Sequence, residues 1–214
     1  MKNLLANLWH SIFNIGSTNY WEKNYAEGLT SGGGSYGEYA KFKAKIINEF
    51  VKEKKIESII DFGCGDGNQA SLLKVNDYIG LDISQSVINR NIENFQDNKR
   101  MRFFKYNHFD GDDLIFKADL GLSLDVLYHL IEQNVFEKYI SDLFSASEKY
   151  VMIYSTNRKN KLNETIHAYS KNRVFLDYVP KNWRLIKTIR NIHQENPADF
   201  YIFGKMGEYY KNDR

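Results

Sequence analysis

The chain has 214 residues, 43% of them hydrophobic and 15% aromatic, with a formal net charge of +2. That length and composition can bury one sizeable core, and the near-neutral balance calls for no nucleic-acid partner. A single cysteine, Cys64, excludes an internal disulfide and suits a reducing cytoplasm, and no apolar run approaches the ~20 residues of a membrane span.

The opening MKNLLANLWHSIFNIG has one lysine, and Asn7, His10 and Ser11 interrupt its apolar residues, so it makes a poor secretory signal. Leu4, Leu5, Leu8, Trp9, Ile12 and Phe13 mark one face of an amphipathic helix, which we expect to pack on its own domain. Residues 18–40 then set Tyr20, Trp21, Tyr25, Tyr36 and Tyr39 around a Gly/Ser segment from Ser31 to Gly37, a composition that suits a lid excluding water from a ligand. An amphipathic helix over 38–54 follows, with Phe42, Ile46, Ile47, Phe50 and Val51 inward.

The most informative stretch is SIIDFGCGDGNQ, residues 58–69. A buried strand at 58–62 runs through Gly63, Gly65 and Gly67 into a helical pattern at Asn68, which puts bare backbone at the carboxyl edge of a sheet. The spacing is G-x-G-x-G rather than the dinucleotide G-x-G-x-x-G, and Asp61 precedes it. A carboxylate there repels a pyrophosphate and suits a cation, such as the sulfonium or ammonium of S-adenosylmethionine. A second apolar segment, YIGLD, ends in Asp82, placed to accept hydrogen bonds from both hydroxyls of a ribose. Cys64, between two glycines, reads as a small buried filler beside the ligand. Glycines, Asp61 and Asp82 together resemble motif I and the second-strand acidic residue of the class I S-adenosylmethionine-dependent methyltransferases.

Further along, the pattern predicts a helix at 68–74, strand 77–81, helix 85–96, strands 101–105 and 118–124, helix 132–147 and strand 149–155. Strands alternating with helices imply a parallel sheet with right-handed crossovers. A helix is expected near 170–179, then strands at 183–191 and 198–205 joined as an antiparallel hairpin at the sheet edge. The fold class is therefore α/β: a Rossmann-like, seven-stranded, mostly parallel sheet with an antiparallel last strand, helices on both faces and an N-terminal helical lid. Residues 1–37 form the extension and lid, and 38–214 the methyltransferase domain.

The class I resemblance also assigns roles. Residues after the fourth strand, ADLGLSLDVLYHL, face the transferred methyl in that fold, so Asp125, Tyr128 and His129 become catalytic candidates, His129 as a base for a hydroxyl. Asp61, Gly63, Cys64, Gly65 and Gln69 would hold the methionine end, Asp82 and Ile83 the ribose side, Asn107 or His108 the adenine, with Asp125 also beside the cofactor. Asp110, Asp112 and Asp113 gather in the same loop as Asn107 and His108, but we read it as solvated and expect no metal. Metal-dependent catechol-type relatives take ligands from the fourth and fifth strand ends, where this chain has Asp125 and Asn157 and lacks the second aspartate.

Residues 157–190 carry nine Lys or Arg against Glu164 and Asp177. Arg158 and Arg173, with Tyr20, Tyr25 and Tyr36 of the lid, are the acceptor-binding candidates, and an anionic small-molecule acceptor is one expectation. In order and spacing, YWEKNYAEG, SGGGSYGEYAKFKAKIINEFV, IIDFGCGDGNQ, YIGLDIS, ADLGLSLDVLYHL and VMIYSTN resemble a bacterial methyltransferase family of surface-polysaccharide and capsule genes. The resemblance implies O-methylation of a sugar, nucleotide-linked sugar or phosphoramidate precursor, with the capsule phosphoramidate enzymes nearest. Two competing readings stay open: an RNA methyltransferase, and an inactive cofactor-binding partner of an active enzyme.

Overall fold

A computed structural model describes residues 16–107, 116–160, 170–193 and 197–207. The N-terminal amphipathic segment and the loop residues His108, Asp110, Asp112 and Asp113 lie outside the described residues. In chain order come helices α1 (Ser17–Ala26) and α2 (Gly37–Lys54), strand β1 (Ser58–Phe62), the single turn α3 (Asn68–Ser71), β2 (Asp77–Asp82), α4 (Gln85–Asn94), β3 (Met101–Lys105), β4 (Ala118–Leu124), α5 (Gln133–Ala146), β5 (Ser147–Ser155), β6 (Trp183–Ile189) and β7 (Asp199–Lys205).

The seven strands form one sheet in the order β3-β2-β1-β4-β5-β7-β6. The pairs β1–β2, β2–β3, β1–β4 and β4–β5 are parallel. Strand β7 runs antiparallel to both β5 and β6, so the last strand in sequence is the reversed one. Chain order turns back between β1 and β4, the switch point outside whose carboxyl ends open α/β sheets bind ligands.

Both sheet faces are covered, which is why the central strands are buried almost along their whole length rather than at alternate residues. Ile59, Leu120, Leu122, Met152 and Tyr154 pack with Ile47 and Phe50 of α2 and Val87 and Ile88 of α4 on one face. On the other, Ile60, Phe62, Val151 and Ile153 meet Phe136, Ile140 and Leu143 of α5. Adjacent strand residues falling into different clusters is the two-residue side-chain period of a strand.

Two predicted helices come out differently. The helix expected over 68–74 is one turn, because Leu72 and Leu73 bond back three residues, to the carbonyls of Gln69 and Ala70. The helix expected near 170–179 is irregular at 170–174 and then a 3-10 turn, Phe175–Tyr178. Here the Lys171 N–H goes to the Tyr128 carbonyl at 2.7 Å and the Asn172 N–H to Asn160 Oδ1, so these amides serve distant partners instead of a local ladder. No helix among the described residues is long and apolar enough to cross a membrane.

Candidate active site

At the end of β1 the chain passes through Gly63 (φ 80°), Gly65 (φ 54°) and Gly67 (φ 78°). A Cβ on Gly63 would lie 2.5 Å from Val126 Cγ2, just past β4, and one on Gly65 would lie 2.2 Å from Ser31 Oγ in the lid. Positive φ and this crowding together require glycine at both positions. The Gly63 and Cys64 amides anchor on the Leu81 carbonyl at 2.7 and 3.0 Å, tying the turn to β2. Burial pushes the Cys64 thiol well above its ordinary range, so it stays a thiol and fills space.

The turn opens on a cavity of about 770 Å³. Asp61, Gly63, Cys64, Gly65, Gln69, Asp82 and Ile83 line it beside Asp125, Tyr128 and His129 from beyond β4, and Tyr25 and Arg158 line it as well. Asp61 is buried at 2% exposure; its Oδ2 accepts the Tyr78 hydroxyl at 2.7 Å, while its Oδ1 has no partner. Gln69 is buried too, donating to the Ala40 carbonyl and leaving its Oε1 unpartnered. Two orphaned acceptors at one end of a cavity form a place for a hydrogen-bonding cation. Desolvation raises Asp61 to about 6, with the Tyr78 bond opposing it.

Asp82 takes the Gly65 amide on Oδ2 and the Ser84 amide on Oδ1, each at 3.0 Å, which fixes its carboxylate at the tip of β2. Desolvation by burial lifts it to about 6 as well, against the lowering effect of those amides. The remaining lone pairs of a carboxylate held in this way suit a vicinal diol.

Residues 31–36 rest directly on the glycine turn. Asp66 accepts the Ser31 amide at 2.7 Å and the Tyr36 hydroxyl at 2.8 Å through Oδ2, and its own amide donates to Ser31 Oγ at 2.9 Å. Tyr25 meets the same hydroxyl at 3.0 Å and stacks on Trp21, whose ring meets His129 edge-on at 5.0 Å.

Just past β4, Asp125 adopts a left-handed conformation (φ 62°), rare for a non-glycine residue. Its Oδ1 accepts the Tyr128 hydroxyl at 2.8 Å and its Oδ2 pairs with Lys43 Nζ at 2.6 Å. Burial and the Asp125 charge push the Tyr128 phenol far up, so it acts as a donor. Thr156 and Asn172 line the same cavity, bonded to each other and, through Asn172, to Asn160.

Four expected site residues fall elsewhere. Tyr20 and Tyr36 do not line the cavity: Tyr20 packs edge-on against Trp21, and the Tyr36 hydroxyl is taken by Asp66. Asn107 is exposed and outside the lining, and Tyr106 before it contributes instead. Arg173, expected to meet an acceptor, points into the protein. Its guanidinium donates to the carbonyls of Leu130 and Ile131 and to Gln133 Oε1, and lies over the Phe136 ring at 4.5 Å. His108 lies outside the described residues. Sequence reading missed Lys43, although Ala40, Lys43, Ala44, Ile47 and Val51 share one helical face and all are buried. Among the described residues no three His, Cys, Asp or Glu side chains gather as a metal site.

A glycine turn with Asp61 before it, Asp82 on the next strand tip and a cavity at the switch point is the arrangement of the class I methyltransferases. The chain matches the family model described as "Methyltransferase domain" over residues 36–197 and belongs to that family: it is an S-adenosylmethionine-dependent methyltransferase. No curated protein matches the sequence. Solved structures share the fold at low identity. N-methyltransferase NodS from Bradyrhizobium japonicum WM9, in complex with S-adenosyl-L-homocysteine, aligns with a TM-score of 0.67 at 8% identity, covering 89% of this chain and 98% of that one. The methyltransferase domain of the bacterial protein CtHen1-C gives 0.60 at 19% identity over 77% and 97%. Magnesium protoporphyrin IX methyltransferase from Synechocystis PCC 6803 gives 0.59 at 14% over 96% and 100%.

Proposed function

We propose that the chain methylates a hydroxyl oxygen of a small acceptor, a sugar, nucleotide-linked sugar or phosphoramidate precursor of a bacterial surface glycan, in the cytoplasm. The observation that carries the reading is one cavity lined both by the unpartnered acceptors of Asp61 and Gln69 and by Asp125, Tyr128 and His129. Asp61 and Gln69 would hold the ammonium of the methionine moiety, the backbone of 63–65 its length, Asp82 the ribose, and Ile83 with Tyr106 the base. When bound, S-adenosylmethionine supplies a methyl carbon already activated by its sulfonium, so alignment and exclusion of water are the protein's main contributions.

His129 receives the proton of the acceptor hydroxyl at a ring nitrogen, and Trp21 against its ring holds the imidazole in place. Residues 16–37, with the Ser31–Asp66 clasp, act as the lid over a domain beginning at 38. Thr156, Asn172 and Arg158 supply donors and acceptors for a polyhydroxylated or anionic acceptor. The glycan assignment itself rests on the sequence resemblance.

The test has two stages. Calorimetry with S-adenosylmethionine and S-adenosylhomocysteine comes first, and absence of binding to both ends the reading. Turnover of labelled S-adenosylmethionine with a panel of nucleotide-linked sugars and phosphoramidates follows, with structured RNA as a separate arm. Methylation of RNA alone would replace the small-molecule reading, and cofactor binding without turnover on any acceptor would favour the inactive-partner reading.

A further inference from the structure

Lys43 projects from α2 into the protein with 1% of its side chain exposed, in a position where an aliphatic residue would be expected. Its ammonium lies 2.6 Å from Asp125 Oδ2 and 5.4 Å from the centroid of the Tyr154 ring. Asp125 is held from three further sides. Tyr128 donates to Oδ1, the Tyr154 carbonyl accepts its amide at 2.9 Å, and a Cβ on Gly34 of the lid would stand 3.3 Å from Oδ2. Burying such a pair carries a desolvation penalty that a well-packed apolar pair avoids, so stability alone is a weak reason for it.

Its surroundings supply a better reason. Both residues line the cavity that Asp61 and Asp82 line, and Arg158 is the other charged lining residue among those described. Val126, next to Asp125, is the residue that crowds Gly63 of the glycine turn. Asp125 therefore sits between the cofactor cradle and the lid. The substrate cofactor carries a sulfonium charge that its product lacks. An uncompensated carboxylate at Asp125 would favour the charged form over the neutral thioether, and an uncompensated Lys43 would do the reverse.

We infer that the Lys43–Asp125 pair is a charge balance that sets the pocket's relative affinity for the sulfonium cofactor and its thioether product, with Lys43 as a specificity-determining residue. The inference rests on the methyltransferase reading of this site. It is tested by calorimetric dissociation constants for S-adenosylmethionine and S-adenosylhomocysteine at pH 7.5, on the native chain and on Lys43→Met, Asp125→Asn and the double variant. At an effective dielectric of about 20, one unit charge across such a cavity is worth about tenfold in affinity. Lys43→Met is expected to raise the ratio of the product's dissociation constant to the substrate's by about tenfold, and Asp125→Asn to lower it by about as much. The double variant returns it close to the native value. A merely structural role would weaken both ligands together and leave the ratio alone. Ratios unchanged in the single variants overturn the inference, and if Lys43→Met fails to fold, Asp125→Asn and the double variant decide it. A native chain that binds neither ligand sinks the functional reading itself, a different result from bound ligands with an unmoved ratio.

Discussion

Asp61→Asn should make the protein more stable and a poorer binder of its cofactor. Burial raises the Asp61 carboxyl from an ordinary 3.8 to about 6, so keeping it ionised at neutral pH works against folding. A shift of roughly two units corresponds to about 3 kcal/mol. The asparagine keeps an oxygen for the Tyr78 hydroxyl, but its amide takes the place of the unpartnered Oδ1 and loses about 1–2 kcal/mol if it finds no acceptor. The net gain is about 1–2 kcal/mol, or some 3–6 °C in Tm for a chain of this size. The sign follows from linkage: a carboxyl raised on folding contributes stability that is full below 3.8 and lost as pH rises through about 6. The advantage of Asp61→Asn should therefore be level above about pH 6, shrink below it, cross zero near pH 5 and turn into a deficit of about 1–2 kcal/mol by pH 4, where only the unpaired amide remains. Thermal or urea unfolding across that range measures it, with S-adenosylhomocysteine calorimetry on the same samples for the expected loss of affinity. A variant no more stable than the native chain at pH 7.5, or a difference that does not change with pH, would refute the assignment of Asp61 as a carboxylate kept for a ligand at the expense of stability.

Three further outcomes are expected. Because Asp61 and Asp82 both take up protons near pH 6, affinity for S-adenosylhomocysteine should fall about tenfold or more between pH 7 and pH 5, and a flat calorimetric profile contradicts this. Gly65→Ala places a Cβ at φ 54° and 2.2 Å from Ser31 Oγ, so the lid must lift; at about 1–2 kcal/mol of backbone strain plus the lost closure, product affinity should drop about tenfold or more. Gly121→Ala sets a Cβ 2.0 Å from Ser147 Oγ and 3.1 Å from Leu143 Cδ1, and urea unfolding should show a loss of about 1–3 kcal/mol from overpacking.

Strands at 58–62 and 118–124 were legible to the residue, because each is a largely apolar run and burial on both faces leaves little else for such a run to become; 101–105, an edge strand with only Phe103 buried, was bounded as well. That Asp61, the glycines, Gln69 and Asp82 would come together on one cavity wall was legible for a related reason: the first are contiguous, and Asp82 is one strand away. The Lys43–Asp125 contact was not. Lys43 and Asp125 are 82 positions apart and meet only through the sheet, and a lysine on an otherwise apolar helical face is conventionally assigned to solvent. Arg173 misled in the same way: a positive run reads as surface, and nothing local reveals that carbonyls 42 and 43 residues earlier need its donors. The helix expected at 170–179 failed because those amides satisfy distant partners, which propensity cannot register.

The single carboxylate of Asp66 has a kinetic corollary. It belongs to the turn that receives the cofactor and is also the latch for residues 31–36, so the doorway cannot swing without loosening the seat beneath it. Opening of residues 31–36 would break three hydrogen bonds at Asp66, so Asp66→Ala should speed release of S-adenosylhomocysteine, a change that stopped-flow dissociation would read.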